Sequence, residues 1–308
     1  MKVVVIGSGT MGPGIAQTFA QVGHEATLVD IDEKALKKGM EVVGNNLRFF
    51  VEAGILTASE AEQTRNRINS STELSRSVSS VDLIVEAVPE NLQLKKSIFS
   101  RIEADSSEET ILASNTSSLS LTEIASATKN PSRVIGTHYL NPPHLVRIVE
   151  VVLGKETSPE IAAKMTGILK ECGKKPVLVK DVPGFVHNRL ICALMREAMY
   201  MASNEIASVE AIDTIVKEAF GPRFPLTGIF GLEDNVGLDV LRDVSNQVFP
   251  SLDDSDRAGE WLTEKVDRGD LGAKTGRGFY EWPEGSALKT RQQLTQRFVD
   301  ILKSAKQS

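Results

Sequence analysis

One histidine and one glutamate are the residues of this chain best placed to move a proton together. His138 follows the apolar run Val134-Ile135-Gly136, and Glu150 sits inside Ile148-Val149-Glu150-Val151-Val152. A carboxylate within an apolar strand is costly to bury unless it is paired. An imidazole at the carboxyl end of a strand in an α/β sheet lies on the side where ligands collect. If the two side chains meet across the short loop containing Asn141-Pro142-Pro143, the carboxylate fixes the tautomer of the ring and raises its basicity. That is what a general base needs when an alcohol loses its proton as hydride departs. The competing pairing for Glu150 is a salt bridge to Arg147, and His138 taken singly reads equally as a hydrogen-bonded structural residue; the short connection favours the His138 pairing.

A second constellation lies at the beginning of the chain. Gly7-Ser8-Gly9-Thr10-Met11-Gly12 has the GxGxxG form, which on its own is a common and weak pattern. Here it directly follows Val3-Val4-Val5-Ile6 and opens a helical pattern in which Ile15, Phe19 and Val22 share a face, and Asp30 closes the next strand. Strand, glycines, helix and acid therefore fall in the order of a dinucleotide fingerprint. Gly7 permits the tight turn, Gly9 lets the backbone approach a pyrophosphate, and Gly12 permits close packing of helix on strand, with the helix N-terminus facing the anion. Asp30 can accept hydrogen bonds from a ribose diol and would repel a 2′-phosphate, which favours NAD over NADP. A structural glycine turn and a solvated strand-end acid are the alternatives.

Two polar stretches could serve a substrate. Ser114-Asn115-Thr116-Ser117-Ser118 follows Ile111-Leu112-Ala113, and Asn188 follows Pro183-Gly184. Both types of residue commonly cap helices and turns; their other use would be to hydrogen-bond a substrate oxygen across an interdomain cleft.

The elements that must hold these residues follow from hydrophobic patterning. Short β-branched runs without polar alternation, at 3–6, 26–30, 82–85, 110–113 and 134–136, suit strands covered on both faces. Two more strands are expected at 148–152 and 177–179, and Ser158-Pro159-Glu160 announces a helix running to about Cys172. Beyond Pro183-Gly184 the period becomes helical, with Leu190, Leu194, Ala198 and Met201 in step and no further strands expected. The expected architecture is α/β: a Rossmann-like NAD-binding domain with a mostly parallel sheet over 1–183, and an all-α domain over 184–308. Residues 284–307 read as a terminal helix lying on the surface.

Composition limits the remaining possibilities. With 308 residues the chain is long enough for about two domains. Its 35 Lys and Arg against 41 Asp and Glu give a formal charge of −6, without a basic tract, which disfavours nucleic acid. The two cysteines, Cys172 and Cys192, have no CxxC or Cys/His spacing, so no metal site is expected. No apolar run approaches the length of a membrane span or a signal segment, and a cytoplasmic location is expected.

The motifs together resemble the 3-hydroxyacyl-CoA dehydrogenase family over almost the whole chain. They are GSGTMGPGIAQ, IVEAVPEN, SNTSSL, HYLNPP with VEVV, PGFVHNR and GAKTGRGFY, in the family's order. The resemblance implies a two-domain enzyme whose helical domain forms a homodimer interface. It implies His138 as catalytic base, Glu150 as its partner, and Ser117 and Asn188 at the substrate oxygen. It also implies Asp30 at the ribose, with Glu90, Lys95, Ser117, Asn141 and Lys274 near the cofactor. Without it, Glu90 and Lys95 read as a solvated helix start and Lys274 as an exposed charge.

Two departures bear on substrate. Acyl-CoA members often carry a lysine-rich helix after the second strand, whereas Val42 to Gly54 contains one basic residue, Arg48. The HFFNP block is replaced by His138-Tyr139-Leu140-Asn141-Pro142-Pro143-His144, similar to relatives acting on small hydroxy acids such as L-gulonate 3-dehydrogenase. The expected activity is oxidation of a short-chain L-3-hydroxyacyl-CoA to the 3-ketoacyl-CoA with NAD. The alternatives are a dehydrogenase of a small non-CoA hydroxy acid, and a non-catalytic, crystallin-like NAD-binding protein.

Overall fold

The computed structural model describes residues 1–307. Its eight strands are β1 (Lys2–Ile6), β2 (Glu25–Val29), β3 (Ile68–Ser71), β4 (Leu83–Glu86), β5 (Ile111–Ser114), β6 (Val134–Tyr139), β7 (Ile148–Leu153) and β8 (Lys175–Lys180). They form one sheet in the order β3-β2-β1-β4-β5-β6-β7-β8. The first six run parallel; β7 turns back against β6, and β8 follows β7 in parallel. The sheet is therefore mostly parallel and Rossmann-like, as expected.

Helices cover both faces. They are α1 (Gly12–Gln21), α2 (Glu33–Glu52), α3 (Ala58–Asn66), α4 (Leu74–Val78), α5 (Leu92–Asp105), α6 (Leu121–Ala125) and α7 (Pro159–Glu171). The pleat of β1 shows why its run lacks polar residues: Val3 and Val5 enter the core layer containing Ile15 and Phe19 of α1, while Val4 and Ile6 enter the layer containing Phe99 and Ile102 of α5. Local chemistry sets the helix starts. The Asp32 side chain accepts from Lys34 N ahead of α2, and Thr57 and Glu60 form a capping box at α3. Ser158 caps α7 with Pro159 in its first turn, where the sequence places it.

Then follow α8 (His187–Ser203), α9 (Val209–Ile215), α10 (Phe224–Val236), α11 (Leu238–Val248), α12 (Glu260–Asp267) and α13 (Ser286–Gln307). The chain forms two compact units, Met1–Arg189 together with the residues from Gln292 onward, and Leu190–Arg291. The second unit is helical, with isolated bridges at Gly272–Arg277 and Arg277–Glu281 as its only extended pairings among the described residues. No described helix is long and apolar enough to cross a membrane.

Two features differ from the sequence expectation. The edge strand β3 is unanticipated, because Ile68-Asn69-Ser70-Ser71 buries only Ile68 and is held by backbone pairing to β2. The terminal helix forms but does not merely lie on the surface. Val299 is fully buried, and with Phe298 and Leu302 it packs on Phe50 and Leu145, which places the end of the chain in the first unit. Spacing of those three residues at one and four positions puts them on one helix face.

Candidate active site

The antiparallel pairing of β6 with β7 sets His138 directly opposite Glu150. Cross-strand neighbours project to the same face of a sheet, and His138 Nδ1 lies 2.7 Å from Glu150 Oε2, both side chains 5% exposed. The other oxygen, Oε1, accepts from the backbone N–H groups of Val186 and His187, each at 2.9 Å. Those amides are aimed by a turn in which Gly184 has φ 75° and Phe185 φ 49°. A left-handed conformation is uncommon for a bulky residue; here the Phe185 ring is fully buried, 5.6 Å from the His138 ring between centroids.

Backbone amides can only donate, so Oε1 of Glu150 is an acceptor, and in the ionised carboxylate Oε2 accepts as well. The proton of the neutral imidazole must then sit on Nδ1, leaving Nε2 with a free lone pair. Among the described residues the one hydrogen bond of the ring is that of Nδ1. Arg147 is not the partner of Glu150; its Nε donates to Gly173 O at 3.4 Å.

Ser117 and Asn188 meet across the first unit, Asn188 Nδ2 donating to Ser117 O at 2.9 Å. The Ser117 loop is itself gripped by Glu90, whose Oε1 accepts from the Thr116 hydroxyl and from the backbone N–H of Ser117 and Ser118 at 2.7, 2.8 and 2.9 Å. Burial opposes ionisation of Glu90. The Thr116 hydroxyl, the Ser117 amide, the Lys95 ammonium and the Ser118 amide outweigh it and hold the carboxyl at about 2. Because the folded value lies below the ordinary 4.5, the stabilisation is complete above that value and is lost as pH falls towards about 2. In urea unfolding, the stability gap between wild type and Glu90→Gln is therefore expected to be constant above about pH 4.5 and to close on acidification. A gap independent of pH would reject the role of the charge.

Lys95 does not lie in solvent. It is almost wholly buried, and its ammonium contacts Glu86 Oε1 at 2.7 Å, Glu90 Oε2 at 3.3 Å and Val88 O at 3.3 Å. An ammonium has three donors, so these partners occupy it. Glu86 is a residue that the sequence reading missed. It ends β4 fully buried, and its oxygens also accept from Val88 N and from the Ser114 hydroxyl, both at 2.7 Å. Its signal was the one that revealed Glu150, an acid closing an apolar run.

At the glycine-rich turn, Gly7 has φ 102° and its N–H donates to Val29 O at 2.7 Å. A side chain at Gly12 would lie 1.8 Å from Gly7 O, whereas one at Gly9 would meet nothing within 4 Å. The turn is thus closed on the protein side and open at Gly9 and Thr10, beside the head of α1, which is the arrangement in which a helix N-terminus meets a pyrophosphate. Asp30 Oδ2 accepts from Ser8 N and the Ser8 hydroxyl at 2.8 and 2.7 Å, and Oδ1 from Asp32 N at 3.2 Å. Burial acts against its ionisation, but those bonds prevail and keep its pKa below the ordinary value. The residues present fit NAD. Thr10 and Met11 belong to the same turn, and Asn141 is exposed in the loop after β6. Lys274 belongs to the second unit, exposed in the turn bounded by the Gly272–Arg277 bridge.

A buried histidine–carboxylate pair, in a sheet whose first turn has the form of a dinucleotide site, points to the class of nicotinamide-dependent dehydrogenases. Known families narrow that class. Residues 2–182 match the NAD binding domain of 3-hydroxyacyl-CoA dehydrogenase and residues 184–282 its C-terminal domain. The chain belongs to the 3-hydroxyacyl-CoA dehydrogenase family and is an NAD-dependent oxidoreductase of that type. It is 38% identical over 283 residues to a 3-hydroxybutyryl-CoA dehydrogenase of Clostridioides difficile, covering 92% of this chain and 99% of the relative. A solved (S)-3-hydroxybutyryl-CoA dehydrogenase from Ralstonia eutropha superposes with a TM-score of 0.78 at 36% identity, covering 92% and 99%. A solved 5-formyl-3-hydroxy-2-methylpyridine 4-carboxylic acid 5-dehydrogenase, an NAD+-dependent dismutase, superposes with a TM-score of 0.90 at 30% identity, covering 98% of each chain.

Proposed function

We propose that this enzyme oxidises a short-chain L-3-hydroxyacyl-CoA to the 3-ketoacyl-CoA, with His138 as general base. The observation that carries the reading is the occupancy of Glu150: two amides engage Oε1 and Nδ1 of His138 engages Oε2, which leaves Nε2 as the ring nitrogen free to take a proton. Nε2 takes the hydroxyl proton, and Glu150 then stabilises the imidazolium. NAD, when bound, would supply the acceptor for the hydride of the carbinol carbon. The Ser117 hydroxyl and the Asn188 amide hold the substrate oxygen as it changes from hydroxyl to carbonyl. Gly7 to Gly12 receive the pyrophosphate and Asp30 the ribose, while Glu90 and Lys95 shape the Ser117 loop beside them. Asn141 and Lys274 serve the same cofactor.

Asp30→Ala is expected to weaken NAD binding about 10- to 100-fold, the scale of lost charge-assisted hydrogen bonds, in a titration followed by protein fluorescence. An unchanged affinity would remove Asp30 from the site.

A second reading, a small carboxylated substrate without CoA, has specific support. The superposition of highest TM-score above is on a pyridine carboxylate dehydrogenase. At the end of α2 Arg48 is the lone cation between Val42 and Gly54, and the Phe50 face packs on apolar residues of α13, so this segment offers little to a CoA phosphate. Purified protein with NAD and 3-hydroxybutyryl-CoA, free 3-hydroxybutyrate or L-gulonate, followed by NADH absorbance, separates the readings. Turnover of free acids alone rejects the thioester; turnover of none supports an NAD-binding protein without catalysis. Self-association through the second unit is also proposed, because Leu226 and Phe230 of α10 are 86% and 87% exposed in the single chain. Sedimentation velocity would show a dimer, and a monomer at all concentrations would reject it.

A further inference from the structure

We propose that a cavity of about 380 Å³ in the first unit, lined by residues with no part in the site above, binds a small organic monocarboxylate. It opens between the loop after β6 and the turn after α7, with Phe50, Leu56, Leu145 and Leu302 among its apolar walls and Arg147 and Lys174 as its cations.

Lys174 is the anomaly that points to an anion. It is 7% exposed, and its ammonium donates to Pro143 O and to Val146 O, the latter at 2.9 Å. One of its three donors has no protein acceptor among the described residues. No carboxylate lies within ion-pair distance of Lys174 or of Arg147 among those residues. Buried charges in proteins are ordinarily paired, yet here two like charges share one cavity wall.

The remaining titratable groups of the cavity do not balance them. Glu60, a carboxylate of the same lining, caps the head of α3 by accepting from Thr57 N and the Thr57 hydroxyl, and its single negative charge against two positive ones leaves the wall net cationic. The Cys172 thiol is pushed up to about 12 by burial and stays neutral. Burial, helped by the Lys174 charge, lowers His144 to about 4 and leaves it neutral too. Lys174 itself is brought down to about 8 by burial and by Arg147, as an ammonium lacking a counter-ion would be.

An anion here meets a planar guanidinium, which matches a carboxylate in two hydrogen bonds, and a buried ammonium. The apolar walls select an acid with a hydrocarbon body over a fully hydrated inorganic ion. Leu302 belongs to α13, which lies beyond the residues matched by either family domain, so this wall is supplied by a segment outside both.

Calorimetric titration of the full chain, saturated with NAD, with hexanoate and benzoate at constant ionic strength tests the site; inorganic phosphate is the control. The expected result is saturable millimolar binding of an organic acid at one site and none of phosphate. Arg147→Gln should weaken binding at least about tenfold. Leu56→Trp, which fills the cavity without touching the cations, should abolish it, and His138→Gln should leave it intact. Absence of saturable binding, equal binding of phosphate, retention in both cavity variants, or loss in His138→Gln would each overturn the proposal. The last outcome would assign the acid to the catalytic site instead, so neither reading's failure imitates the other's.

Discussion

His138→Gln is expected to lower turnover by about a hundred- to ten-thousandfold, the usual contribution of a positioned general base, while NAD affinity is unchanged. An amide cannot accept the hydroxyl proton. It can still donate to Glu150 Oε2, so the buried carboxylate keeps a partner and the fold is not asked to bury a lone charge. The separation of effects is therefore clean. Steady-state rates and fluorescence titration with NADH measure the two quantities, and preserved turnover would eliminate His138 as base.

Glu150→Gln should be nearly as damaging, about ten-thousandfold in turnover, the scale seen when the orienting acid of a Ser-His-Asp triad becomes an amide. Its carbonyl oxygen can still accept from the Val186 and His187 amides, which fixes the side-chain amide with its NH2 towards His138. The ring must then accept at Nδ1 and carry its proton on Nε2, presenting a donor where the reaction needs an acceptor. Nitrogen-15 chemical shifts of the imidazole read this inversion without any assay. Wild type should show a protonated Nδ1 and the variant a protonated Nε2. If the wild-type ring is already protonated on Nε2, Glu150 does not position the base.

Those two residues were legible in the sequence because each violates its surroundings: a carboxylate inside Ile148–Val152 demands a partner, and His138 is near it along the chain. Glu86 carries the same violation in Leu83–Glu86 and was passed over, since its partner Lys95 lies across a helix start that reads as solvated. Which face α5 turns to the sheet is decided by packing, not by the local pattern. The strands β1, β2 and β4 to β8 were readable from β-branched runs, while β3 was not, because an edge strand paid for by backbone hydrogen bonds needs few apolar residues.

The Pro183-Gly184 pair read as a linker, and its position was right for a break in periodicity. Its function was hidden, because the left-handed conformation of Phe185 that aims two amides at Glu150 is a property of φ and not of residue type. Likewise, the apolar residues of α13 are sparse enough to suggest an exposed helix. Three of them suffice to seat it, since Phe50 and Leu145 already form the receiving surface.

The reversal of direction between β6 and β7 has a further effect on how such an enzyme can change. His138 and Glu150 are held in register by the ladder itself, so the residues from 140 to 147 that join the strands are relieved of any duty to aim the imidazole. Exchanges at the solvent-facing positions of that hairpin can alter its surface while the imidazole and the carboxylate stay opposed, so the two can vary separately.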